Sequence, residues 1–301
     1  MNGPPPSRLR EALRPGSLSG DTARIWTLQG AGLLFALVAS IIVAKTLGPA
    51  EKGVVDLYLL LAALIGDLGG LGFGSGLLYY LANQRRSLTE VHGTGLVFAA
   101  AAGGVTALIG WAGLSVWEMI LPGLHPWALL LAFALGPVIY YALIASNLLT
   151  GIDRAVLVHA LAAANGLINL TAVLVLYSLG ILRSGTVILV TAGLSVLLAT
   201  ASFAVLRRRA GPSRPSRELF GVSLRYGLVL HVGIVANFLH FKVDQLMLNY
   251  WLGTAAVGIY AVGVRWAEML FLLDAALGAA ALYRITSSDA RESFRLSWRL
   301  V

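Results

Sequence analysis

The chain contains no cysteine. That excludes disulfides, thiolate nucleophiles, iron–sulfur clusters and Cys-ligated zinc, and it leaves the redox compartment unspecified. Charge is scarce as well: Asp, Glu, Lys and Arg together make up 12% of the 301 residues, about half the share of an ordinary soluble domain. What fills the chain instead is apolar, with 58% hydrophobic residues and a mean hydropathy of +0.81. No soluble core of this size hides that much apolar surface, whereas a bilayer accepts it in segments of about 20 residues. The composition is that of a membrane protein.

Residues 1–24 are rich in Pro, Ser and Arg and read as a disordered basic cytoplasmic tail. The apolar run that follows is too long for the core of a cleaved signal peptide. Further apolar spans are expected at about 25–44, 54–82, 93–117, 126–149, 155–180, 184–206, 223–250 and 255–283. Runs of this length predict α-helices, because each backbone group must be satisfied within its own segment; barrel strands would alternate and be half as long. The expected fold is therefore an all-α, polytopic membrane bundle of about eight helices.

The net charge of +8 invites a nucleic-acid reading, but the basic residues sit in short loops and not in an aromatic-interleaved patch. Sixteen of the twenty-two Lys and Arg fall in the tail and in alternate connections, and only Lys45, Lys52 and Arg183 fall in the others. By the positive-inside rule both termini are cytoplasmic, in a cell inner membrane.

The widest connection, RRRAGPSRPSRE at 207–218, reads as a hinge between a first six-helix lobe, 25–206, and a second that starts at 219 and runs to 301. An internal repeat supports this division. LGPAEKGV at 47–54 recurs as LGTAAVGI at 252–259, an offset of 205 residues, each copy lying between two spans. The second lobe would then hold only its first two helices within the 301 residues, so the chain is expected to be a fragment of a longer, pseudo-symmetric protein.

Two stretches carry a family likeness. Ala44–Ala82, with Lys45, Leu47, Gly48, Pro49 and Gly53 followed by Asp67, Leu68 and Gly69, resembles the first helix pair of the oligosaccharide (polysaccharide-biosynthesis) flippases. Phe241–Leu270, with Asp244, Leu252, Gly253, Val257, Gly258 and Tyr260, is similar to the seventh and eighth helices of that family. These proteins belong to the multidrug/oligosaccharidyl-lipid/polysaccharide exporter superfamily, and the lipopolysaccharide O-antigen type is the nearest in character. The resemblance implies a two-lobed bundle that moves polyprenyl-pyrophosphate-linked oligosaccharide to the outer leaflet by alternating access. Its partners would be the lipid-linked oligosaccharide, the bilayer, and the glycan polymerase and glycosyltransferases of the same pathway. It implies no cofactor beyond an H+ or Na+ that would couple the cycle, and no nucleic acid.

Polar residues inside the spans are the candidate site. Gly66, Gly70 and Gly74 form GxxxGxxxG, which lets helices pack closely and also suits a gate-like bend. Asp67 sits at mid-span, where a carboxylate costs about 2.5–3.5 kcal/mol unless it faces a cavity or partner. Asp56 returns to the same helical face, at about 100° per residue. This acidic stripe either binds a coupling ion or is structural, with Asp56 at the outer interface and Asp67 capping a broken helix. Arg265 and Glu268 lie near the middle of the last span. Arg265 suits the pyrophosphate through its planar fork, or the two simply neutralise each other. Lys242, and Arg24 at the tail, would assist; the bland reading of Lys242 is snorkelling to the interface. Asp244 is the candidate for a coupling or gating contact.

No metal-ligand spacing links the five histidines, and no Ser/His/Asp arrangement or HExxH appears. The expectation is a transporter and not an enzyme. The alternatives are a cation-coupled multidrug exporter of the same superfamily, using Asp56 and Asp67, and a membrane-embedded glycan transferase, which would need an acidic metal-binding loop.

Overall fold

Gly48 and Pro49 break the first helix. In the computed structural model, which describes residues 18–83 and 86–267, α1 (Leu18–Gly69) is interrupted at Gly48, where φ is 76° and ψ 173°. Glycine enters that region at no steric cost, and proline, lacking an N–H, suits the first turn of the arm that follows. The chain then forms α2 (Phe73–Asn83), α3 (Leu88–Ala112), α4 (Leu114–Ile120), α5 (Pro126–Ala134), α6 (Gly136–Gly151), α7 (Ala155–Ser178), α8 (Ser184–Ala210) and α9 (Arg217–Leu252). Helix resumes over residues 254–261. The chain divides into two units, 1–261 and 262–301; the described part of the second, residues 262–267, is helical.

The all-helical expectation holds among the described residues, while several expected spans prove to be broken. Five helices are long and apolar enough to cross a membrane, or six if α5 and α6, bent by 44° at Leu135, count as one span. The helix over 20–69 enters that count once although it is two arms. The expected span 54–82 stops at Gly69 and restarts at Phe73. The span expected at 93–117 is divided at Gly113. Only part of the last, 255–283, lies within the described residues.

Burial follows the logic of a bilayer. The core runs from Leu57, Leu61 and Ile65 on α1 through Phe73, Phe98, Ala128 and Tyr140 to Leu148 and Leu206. The outward faces are as apolar as the core, with Val229 and Val232 on α9 each 73% exposed and Leu167, Leu174 and Leu189 also exposed. Such a surface is stable only against hydrocarbon.

The two copies of the repeat meet each other. Gly253 has φ 78° and ψ −178°, matching Gly48, so both copies turn the chain in the same way. Gly53 is pressed against the backbone of Thr254, and Gly258 against the carbonyl of Pro49. Adding 205 to Gly53 and subtracting it from Thr254 gives Gly258 and Pro49, so the repeat offset exchanges the two contacts, as a local two-fold axis requires. Any side chain beyond glycine would collide here with backbone. Asn249 Nδ2 donates to the Pro122 carbonyl at 3.2 Å beside this contact.

The expected linker packs at the other end of α9, about 54 Å away along the helix axis. Ser213 Oγ lies 3.3 Å from His92 Nδ1, and the Ser216 N–H donates to Thr94 Oγ1 at 3.0 Å. The Arg214 N–H donates to the Thr89 carbonyl at 3.3 Å. Arg86 bridges Glu90 at 3.3 Å and Glu218 at 2.9 Å. A segment read as a hinge is thus held against the first turns of α3.

Candidate functional site

The stretch that ends α1 builds a cavity. Gly70, Leu71 and Gly72 are not helical, and Leu71 and Gly72 take φ of 51° and 63°. A leucine in that region costs on the order of 1–2 kcal/mol, so the surrounding packing holds the break open. Gly72 lies against the backbone of Gly227, and Gly76 against that of Ser223. This close approach seats α9 on α2 and leaves the interrupted backbone facing a cavity of about 420 Å³.

Its wall combines polar and aromatic groups from four places in the chain. Asp67 comes from α1, Ser75 from α2, Tyr140 and Asn147 from α6, and Asn237 from α9. Phe73 and Phe98 stack with ring centroids 4.0 Å apart and form an apolar floor. The Tyr140 hydroxyl is 2.7 Å from Thr106 Oγ1. Asn147 Nδ2 donates to the Leu143 carbonyl at 3.1 Å. Asp67 is half-buried, and Lys242 on α9 lies within Coulombic reach of it. Among the described residues that line it there is a carboxylate and no Lys or Arg.

The three expected packing glycines do different jobs. A methyl group at Gly66 would come within 3.2 Å of Ile139 Cγ2, and one at Gly74 within 2.7 Å of Asn147 Nδ2, so both seat α6 closely. Gly70 belongs to the break, where a methyl would meet the Gly66 carbonyl oxygen at 2.5 Å. Packing and bending, both open to the motif, are shared out among the three.

The remaining expected residues scatter. Asp56 does not line the cavity; it is buried in an ion pair with Lys52 one turn earlier, with side-chain exposures of 4% and 2%. The shared face with Asp67 exists by periodicity, yet the two carboxylates have different surroundings. Asp244 accepts from the Tyr260 hydroxyl and, at 2.7 Å, from the Gln245 N–H. Arg24 is exposed and lies 3.8 Å from Asp21. Arg265 belongs to the unit 262–301, and Glu268 falls outside the described residues.

Three features escaped the sequence reading. Lys52 falls in an expected connection, although its i,i+4 spacing to Asp56 is a readable signal. Asn147 carried no such signal, since it is a single amide in an apolar run. Ser184 and Glu51 share a hydrogen bond beside the buried pair, and nothing in their separate contexts announces it. Among the described residues no group of three His, Asp or Glu could hold a metal ion.

The fold so described, a broken-helix membrane bundle with a cavity where α9 meets the preceding spans, resembles that of solved transporters. A MOP superfamily transporter from Pyrococcus furiosus Vc1 superposes with a TM-score of 0.56 at 15% identity, covering 94% of this chain and 72% of that one. An outward-facing multidrug resistance MATE family transporter of the MOP superfamily gives the same TM-score, identity and coverage. An inward-facing MATE transporter gives a TM-score of 0.51 at 17% identity, over 81% of this chain and 57% of that one. A sequence search of curated proteins gave no significant match. The chain belongs to the polysaccharide biosynthesis protein family, whose sequence profile matches residues 20–286.

Proposed function

We propose that this membrane protein is an exporter that moves polyprenyl-pyrophosphate-linked oligosaccharide across the cytoplasmic membrane for cell-surface polysaccharide assembly, of the lipopolysaccharide O-antigen type. The observation that carries the reading is the mid-bundle cavity, walled on one side by α1, α2 and α6 and on the other by α9, in a chain of the polysaccharide biosynthesis family.

In this account a first lobe, 25–206, rocks against a second that begins at 219. The contact between the two repeat copies closes one end of the path. Lys242 and Arg265, with Arg24 at the entry, neutralise the pyrophosphate, for which charge-assisted hydrogen bonds suit. Asp67 and Asp244, with Asp56 and Glu268 in support, gate the movement or couple it to H+ or Na+. The lipid tail stays in the bilayer, no covalent bond is made or broken, and the termini and the arginine-rich 207–218 connection are cytoplasmic, as the charge bias supports. The polymerase and glycosyltransferases of the pathway would act on either side of this step.

A second reading, a cation-coupled multidrug exporter, draws on the Asp67 carboxylate in the cavity. Proteoliposomes loaded with fluorescent polyprenyl-pyrophosphate-linked oligosaccharide separate the two. The proposal expects the labelled saccharide to change leaflet, and Lys242→Gln to slow it at least about tenfold with folded protein still recovered. Dye efflux driven by a Na+ or H+ gradient, with the lipid-linked saccharide left in place, would overturn it in favour of the second reading.

A further inference from the structure

Resting on the export reading, the cavity chemistry indicates which part of such a substrate it receives. A pyrophosphate is a poor fit, because the described lining residues include a carboxylate and neither Lys nor Arg. A polyprenyl chain is a poor fit as well, because Asp67, Asn147, Asn237 and Ser75 would be desolvated against hydrocarbon without replacement partners. A pyranose ring meets both conditions. Its hydroxyls both donate and accept, and its C–H face is apolar. A carboxylate accepts from two hydroxyls and an amide both donates and accepts, so Asp67, Asn147 and Asn237 together can satisfy several ring hydroxyls. The stacked Phe73 and Phe98 offer the apolar floor. A volume of about 420 Å³ lies in the range of small-ligand sites, about 300–1,000 Å³, and suits a terminal sugar better than a whole oligosaccharide.

We infer that this cavity is a subsite for an uncharged sugar, and that Asp67 is a specificity-determining residue that excludes acidic sugars from it. The exclusion is electrostatic. A uronic acid carboxylate placed on the ring would sit close to Asp67 in a partly dry site, where like charges repel far more strongly than in water. Lys242, within Coulombic reach of Asp67 but not among the described residues that line the cavity, weakens this repulsion. The glycine-bounded break lies next to the carboxylate in the chain, and Gly70 and Gly72 line the same cavity.

The test compares methyl glucoside with methyl glucuronide as probes, by ligand-observed NMR on the full chain in nanodiscs. Wild-type protein should prefer the glucoside by about tenfold or more. In Asp67→Asn the glucoside weakens a few-fold, from loss of a charge-assisted acceptor, while the glucuronide strengthens, so the ratio of dissociation constants falls by about tenfold. Asn237→Leu, which keeps the charge, should weaken both probes together and leave the ratio standing; it also serves if Asp67→Asn does not fold. An unchanged ratio in Asp67→Asn overturns the inference, as does glucuronide binding equal to glucoside binding in the wild type. A Na+-dependent signal lost in Asp67→Asn, with no sugar contact in either protein, overturns it in favour of a cation site. Export by the wild type with an unchanged ratio sinks this inference alone; a shifted ratio without export sinks the export reading and leaves the sugar subsite standing.

Discussion

The two copies of the repeat share a backbone and differ in chemistry. Gly48 and Gly253 take nearly the same φ and ψ, and Gly53 and Gly258 make reciprocal contacts with the opposite copy. In the first copy the next positions hold the buried Lys52–Asp56 ion pair. Their counterparts, 205 residues on, are Val257 and Ala261, 0% and 5% exposed. The glycines are fixed by geometry, since any Cβ would strike backbone across the axis. The positions beside them answer only to burial, which an apolar pair satisfies as well as a neutralised ionic one. What a pseudo-symmetric contact preserves is the approach distance and not the side chains that surround it.

The largest expected effect breaks the ionic copy alone. Lys52→Met leaves the Asp56 carboxylate buried without its ammonium and should cost about 3–5 kcal/mol, read as a lower thermal midpoint in detergent. Writing the second copy into the first with Lys52→Val and Asp56→Ala together should recover at least about 2 kcal/mol of that loss; a double variant as unstable as the single would show that the pair does more than neutralise itself. Next in size, Gly53→Val and Gly258→Val each overpack the axis by about 1–3 kcal/mol and should shift the midpoint alike. Unequal shifts would argue against reciprocal contacts. Gly48→Ala and Gly253→Ala meet no neighbour within 4 Å, so each should cost only the conformational term of an essentially glycine-only backbone region, about 1–3 kcal/mol. Arg24→Ala, which removes an exposed pair with Asp21, should change stability by less than about 1 kcal/mol.

The kinked turns were legible because their signal is local: a glycine followed by a helix-starting residue, repeated at a fixed offset. The Gly66–Gly74 run suited a bend without fixing its place, because no proline marks the break at Gly70–Gly72 and Leu71 occupies a conformation its own residue type disfavours; the break at Leu135 was not legible. Asp67 stood out as a mid-span charge, so its cavity was half visible. Asn147 and Tyr140, brought to the same wall by α6, emerge only from packing. Lys52 was misplaced because a basic residue beside a Gly-Pro turn reads as interfacial, whereas helix restarts at once after Gly48 and carries it inward. The 207–218 connection has linker composition, and its anchoring through His92, Thr94 and Arg86 depends on partners more than a hundred residues away.

Alternating closure across the repeat axis is the central claim, and the absence of native cysteine makes it directly measurable. In Val257→Cys the single thiol is placed at a position 0% exposed in this structure, at the contact between the copies. A membrane-impermeant maleimide applied from the face opposite the arginine-rich connection should label it slowly, and several-fold faster when lipid-linked oligosaccharide is supplied from the other face. A thiol that stays unreactive while the protein exports the saccharide would contradict the account, because the contact between the two copies would then never open.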